Sequence, residues 1–136
     1  MPFVVDASVT LAWCFEDEAT PQTEAILDLL IDDTAIVPAL WELEVSNVLL
    51  IAERRSRLTE ARSARFVALL GQLPIHVEPA SVEMGAVFAA GRRHELTAYD
   101  AAYLVLAERE GVRLATMDAK LRKAANDGGV AVIPEI

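Results

Sequence analysis

Short apolar runs alternate with longer stretches of helical periodicity along the whole chain. Phe3-Val4-Val5, Ala35-Ile36-Val37, Ile75-His76-Val77, Val112-Arg113-Leu114-Ala115-Thr116 and Val130-Ala131-Val132-Ile133 are each brief and rich in β-branched residues. That pattern predicts strands of a buried parallel sheet. Helices are expected between them, and their start and stop signals are legible. Asp6 can cap a helix over Ala7–Phe15, Pro21 suits a first turn, Thr59 and Ser81 can cap the fourth and fifth helices, and Thr97 the sixth. Gly111 and Gly128-Gly129 supply stops. With no long linker, repeat or low-complexity segment, the chain reads as one α/β domain over residues 1–136. Its expected centre is a parallel sheet of four to five strands flanked by helices.

Helical phase assigns faces. Across Leu40–Arg54, at about 100° per residue, Leu40, Glu44, Asn47 and Ile51 share a narrow sector, with Glu42, Ser46 and Glu53 nearly opposite. Glu44 and Asn47 are therefore expected on the core-facing stripe and Glu42 in water. A carboxylate on such a stripe is costly unless paired or bound to a cation. In the helix after Ser81, Val82, Met84, Val87 and Phe88 are expected to point inward. The segment from Ala98 is apolar almost all round, so its first turn, with Asp100, is expected to be buried.

Composition narrows the classes. Hydrophobic content of 54% fits a layered core, and no apolar stretch reaches the roughly 20 residues a bilayer span needs. The start lacks the features of a signal peptide, and Cys14 is the only cysteine, which points to a reducing cytoplasm. The net charge of −9 conceals a division. Residues 1–53 carry eleven acids and no Lys or Arg, while residues 54–136 carry all twelve basic side chains and ten acids. A basic patch for phosphates can thus coexist with an acidic site, although a solvated acidic surface explains the same numbers.

The acids supply the chemistry. Asp6 and Asp118 each follow an apolar strand and begin a helix, Asp100 starts a buried helix, and Glu44 lies on a core-facing stripe. Each has a structural explanation as well: Asp6 is a good cap, and Thr97 with Asp100 has the spacing of a capping box. In a parallel α/β sheet, however, strand ends and the helix starts that follow share one edge. Four carboxylates gathered there would raise one another's pKa unless cations intervened, and hard oxygen donors select Mg²⁺ or Mn²⁺. His76, His94 and Cys14 lack zinc-ligand spacing, and the chain has neither a Gly-rich phosphate loop nor a nucleophile elbow.

Four segments carry a resemblance in order and at fitting spacings. Val4-Val5-Asp6-Ala7-Ser8, Glu44-Val45-Ser46-Asn47-Val48-Leu49, Leu96-Thr97-Ala98-Tyr99-Asp100-Ala101-Ala102-Tyr103-Leu104 and Leu114-Ala115-Thr116-Met117-Asp118 together resemble a PIN domain. More closely, they resemble the VapC toxins of VapBC toxin–antitoxin modules. The resemblance implies a Mg²⁺- or Mn²⁺-dependent endoribonuclease, usually a homodimer, that cuts tRNA or ribosomal RNA and is silenced by a VapB-type antitoxin. It implies Asp6 and Asp100 as principal metal ligands, Glu44 completing the acidic cluster, and Asp118 binding a second ion or positioning the water. Ser8, Asn47 and Thr116 match supporting polar positions. Glu95 departs from the small residue common before the Leu-Thr pair. Arg92, Arg93, Lys120, Arg122 and Lys123, next in sequence to Asp100 and Asp118, are the candidate RNA contacts.

Other readings of the same residues remain open: a housekeeping PIN-domain RNA-processing nuclease, a receiver-like signalling domain, or a non-catalytic binding module. The receiver-like reading wants paired acids after the first strand, whereas Asp6 is followed by Ala7-Ser8.

Overall fold

The computed structural model describes residues 1–135. Five short strands, β1 (Phe3–Val5), β2 (Ala35–Val37), β3 (Ile75–Val77), β4 (Arg113–Ala115) and β5 (Val132–Ile133), form one sheet in the order β3-β2-β1-β4-β5. Every pairing is parallel. Phe3 lies opposite both Ala35 and Arg113 in register, and Val5 lies opposite Ala115. All three residues of β1 are fully buried, as the middle strand of a two-sided sheet must be.

The helices are α1 (Ala7–Ala12), α2 (Pro21–Leu29), α3 (Leu40–Arg54), α4 (Glu60–Gln72), α5 (Met84–His94), α6 (Ala98–Glu110) and α7 (Ala119–Asp127). Most begin where a short polar side chain can take up an unpaired N–H. Thr20 and Thr23 form a reciprocal capping box at α2, Thr59 caps α4, and Thr97 caps α6. Gly111 ends α6 at a φ of 66°, a left-handed position that a glycine adopts without steric cost. No helix is long and apolar enough to cross a membrane among the described residues. Helix α6 packs on β1 and β4, and α1 packs on α3. The helices bearing the candidate acids are thereby tied to the centre of the sheet.

Four expectations about helices are corrected. Helix α1 ends at Ala12, before Phe15, where the bonds tighten to the Trp13 amide on the Thr10 carbonyl and the Cys14 amide on the Leu11 carbonyl, while the Trp13 indole N–H donates to the Thr23 carbonyl at 2.8 Å. The buried stripe of α3 is Trp41, Val45, Leu49 and Ala52, about a third of a turn from the sector holding Glu44. Glu44 lies at the boundary, half-buried, and Asn47 is exposed. Leu40 and Ile51 misled the phase because they too are only partly covered.

Helix α5 starts three residues after Ser81 and buries none of its residues, with Met84 at 85% and Phe88 at 61% exposure. It packs chiefly against α6. The first turn of α6 is also open: Thr97, Ala98 and Tyr99 are exposed and Asp100 is half-buried, with continuous burial only from Ala101 onward.

Candidate active site at the carboxyl edge of the sheet

The chain departs from β1 in two directions, to β2 and β3 on one side and to β4 and β5 on the other. The carboxyl ends of β1 and β4 therefore border the crevice where an open parallel sheet binds ligands. Asp6 leaves β1 at this point, and Thr116 and Asp118 follow β4.

Asp6 is 4% exposed and rigidly held. Its Oδ1 accepts from the Val9 amide at 3.0 Å, which makes Asp6 the cap of α1, and from the Ser8 hydroxyl at 2.7 Å. Its Oδ2 accepts from the Thr116 hydroxyl at 2.5 Å, leaving that oxygen further acceptor capacity. Capping and ligand holding are thus compatible in one side chain.

Ser8 and Thr116 also accept, from the Met117 amide at 3.2 Å and the Asp118 amide at 3.0 Å. Two hydroxyls thereby lace the end of β1 to the β4–α7 connection. Behind them, Thr10 donates to the Asp6 carbonyl at 2.9 Å and accepts from the Trp41 indole at 3.0 Å, which sets α3 against α1. Thr10 was not singled out from the sequence.

The remaining acids surround Asp100. Burial raises the Asp100 pKa, and the nearby charge of Asp118 raises it further, opposed by a hydrogen bond with Thr97 and the charge of Lys120. Glu44 is also raised, first by burial, against the hydrogen bond it accepts from Tyr103, and then by Asp100. Asp6 is pushed up to about 6 chiefly by burial, with the hydrogen bonds from Thr116, Ser8 and Val9 opposing and Asp100 adding. The charge of Asp100 raises both Asp6 and Glu44, and Asp118 in turn raises Asp100. Asp118 caps α7, accepting from the Leu121 amide at 2.9 Å.

Asp6, Asp100 and Asp118, with Glu44 beside Asp100, are the residues whose oxygens could hold a divalent cation. The donor set suits a hard ion such as Mg²⁺ or Mn²⁺, since it is all oxygen and its net repulsion is what a cation relieves. The side chains nevertheless do not form a closed cage. Among the described residues, no three His, Cys, Asp or Glu side chains stand grouped to hold a metal. Unscreened carboxylates repel, so an open arrangement is the expected resting geometry of an acidic cluster.

The basic candidates separate. Lys120 is close enough to Asp100 to lower its pKa, and it is exposed at the start of α7. Arg92 and Arg93 end α5 in solvent, Arg92 resting over the Phe88 ring at 4.5 Å. Lys123 pairs with Asp127 at 2.9 Å. Arg122 turns inward, donating to the Pro134 carbonyl at 2.5 Å and the Thr116 carbonyl at 2.7 Å. Its fork is thus engaged as a strap between the end of β4 and the carboxyl-terminal segment.

Tyr103 was not singled out from the sequence. It is 1% exposed, and its hydroxyl donates to Glu44 Oε1 at 2.5 Å. The available signal was its place among Ala and Leu on a buried helix, because a buried tyrosine hydroxyl requires a partner.

Comparison with known proteins identifies the family. The family model described as PIN domain matches residues 3–127. A protein of Pyrobaculum aerophilum named Ribonuclease VapC3 is 31% identical over 123 residues, covering 89% of this chain and 92% of the relative. The crystal structure of PAE2754 from Pyrobaculum aerophilum superposes with a TM-score of 0.73 at 22% identity, covering 97% of this chain and 92% of that one. The crystal structure of VapBC2 from Rickettsia felis, bound to a DNA fragment from its promoter, has a TM-score of 0.65 at 12% identity over 97% of each chain.

Proposed function

The chain belongs to the PIN-domain family, and we propose that it is a Mg²⁺- or Mn²⁺-dependent endoribonuclease, the toxin of a VapBC-type module. In this reading it is cytoplasmic and homodimeric, cuts tRNA or ribosomal RNA, and is silenced by a VapB-type antitoxin. The observation that carries the proposal is the coupling of Asp6, Glu44 and Asp118 to Asp100 at the switch point of the sheet. Asp6, Glu44 and Asp100, each raised first by burial and further by a neighbouring carboxylate, are explained by a bound cation more economically than by capping. The ribonuclease name of the Pyrobaculum relative supports the substrate class.

Each residue then has a task. Asp6, fixed through both oxygens to α1 and Thr116, is the stiff mount of the ligand set. Asp100 and Asp118 supply the other oxygens from two helix starts, where side chains have room to close. A bound ion would supply Lewis acidity and favour ionisation of a water. Glu44, whose proton affinity burial has raised, is the residue placed to accept a proton from the attacking water. Attack at phosphorus breaks the bond to the 3′-oxygen, leaving 5′-phosphate and 3′-hydroxyl ends. Lys120 stands beside Asp100 to receive the phosphodiester charge.

Brief expression of the chain followed by sequencing of cellular RNA ends tests this directly. The expected result is growth arrest with 5′-phosphate ends at one or a few sites, both absent with Asp100→Asn. A housekeeping processing nuclease would leave growth unaffected. Arrest by Asp100→Asn equal to that by the wild type would overturn the proposal.

A further inference from the structure

Tyr103 and Asp100 are three residues apart on α6, so they project from neighbouring turns of the same face. Asp100 reaches the open first turn, whereas Tyr103 is sealed into the core. From that buried position its hydroxyl donates to Glu44 Oε1 at 2.5 Å, across from α6 to α3. Glu44 is half-buried at the edge of α3, with water on one side and Asp100 on the other. Left alone, a glutamate so placed would turn toward water, away from the like charge of Asp100.

We propose that Tyr103 is a positioning residue, its buried hydroxyl holding the Glu44 carboxylate toward Asp100 so that Glu44 can serve the acidic cluster. The inference rests on the ribonuclease reading above and assigns a device within that site. The ring is anchored by the surrounding core, so the donor is fixed where a water molecule would wander. A second contact supports the same design: the Trp41–Thr10 hydrogen bond sets α3 against α1, three residues before Glu44 along α3. Helix register and side-chain direction are therefore set by separate buried donors. A purely structural alternative exists, in which Glu44 merely satisfies a buried phenol.

The test is a double-mutant cycle with Tyr103→Phe, Glu44→Ala and the double variant. Mn²⁺ affinity is read by calorimetry, and kcat and KM on a model RNA by initial rates. Phenylalanine keeps the ring and removes one oxygen, and the thermal midpoint reports any loss of fold. If Tyr103 acts through Glu44, Tyr103→Phe weakens Mn²⁺ binding and lowers kcat by about tenfold or more, the scale seen for partners that orient metal ligands. RNA KM stays within about twofold, and in the Glu44→Ala background Tyr103→Phe changes nothing further. Wild-type kcat and Mn²⁺ affinity in Tyr103→Phe, or equal losses in both backgrounds, would overturn the inference while leaving the ribonuclease reading intact. A wild-type protein that neither binds Mn²⁺ nor cleaves RNA would instead overturn that reading, and the inference with it.

Discussion

Replacing Asp6 by asparagine should stabilise the metal-free protein while disabling it. Burial raises the Asp6 pKa from an ordinary value near 3.8 to about 6, despite three hydrogen bonds that favour the anion. Below pH 4 the carboxyl is protonated in both folded and unfolded states and contributes nothing. Between pH 4 and 6 the folded protein retains a proton that the unfolded chain has lost, so stability falls as pH rises. Above pH 6 the loss is complete, and roughly two pKa units correspond to about 3 kcal/mol. Asparagine carries no charge, and its carbonyl can keep the bonds from Ser8 and Val9. Its amide would meet the Thr116 hydroxyl, which must turn, at a cost of about 1 kcal/mol.

The net gain at pH 7 is therefore about 2 kcal/mol, or a rise of about 8 °C in thermal midpoint for a domain of this size. Calorimetric or circular-dichroism melts in EDTA at pH 4, 5, 6 and 7 would follow the difference between the two proteins. It should widen in favour of Asp6→Asn from pH 4 to 6 and then level. Mn²⁺ at saturating concentration should raise the wild-type midpoint and leave the variant unmoved. A variant less stable than wild type at pH 7, or a difference independent of pH, would refute the reasoning that Asp6 is a strained carboxylate awaiting a cation.

Thr116 can be tested with little change of shape. Thr116→Val removes a donor to Asp6 and an acceptor for the Asp118 amide, and should cost about 1–3 kcal/mol in urea melts. It should also move the acidic limb of the nuclease pH profile upward, since the lost bond favoured ionised Asp6; an unchanged limb would count against that role. Lys120 and Arg122 should separate by assay. Lys120→Ala should weaken RNA binding and reduce the slope of log K against log salt by about one. Arg122→Ala should leave that slope alone and lower stability by about 1–3 kcal/mol as its two carbonyl contacts are lost. The opposite pattern would return Arg122 to the RNA surface.

The site was legible where chain position alone decides it. Asp6 and Asp118 follow strands, and strand ends in a parallel sheet share an edge, so their convergence followed from the strand pattern of Phe3–Val5 and Val112–Thr116. The strands themselves read clearly because β-branched runs bounded by Pro, Gly and Asp have few alternatives. What depends on tertiary packing did not read. Helix α3 is apolar over so much of its circumference that its periodicity leaves the phase loose, and Glu44 was assigned to a core stripe about a third of a turn from the true one.

Helix α5 carries Met84, Val87 and Phe88 as a core helix would, yet it packs chiefly against α6 and buries none of its residues. Amphipathic pattern reports what a helix could bury, not what lies beside it. The first turn of α6 was expected to be covered because Ala101–Ala107 is so apolar, whereas the burial begins one turn later. Tyr103 was invisible for a related reason, since its partner lies 59 residues away on another helix.

Cleavage of a defined RNA by the purified chain, with Mg²⁺ or Mn²⁺ against EDTA and with Asp100→Asn in parallel, tests the central claim most directly. Asp100 is the neighbour common to the other three acids, so its charge is the one the site can least lose. The account predicts products bearing 5′-phosphate and 3′-hydroxyl ends, formed only with the divalent ion, at a rate lowered at least about a hundredfold in Asp100→Asn. Cleavage at the wild-type rate by Asp100→Asn, or undiminished in EDTA, would contradict it.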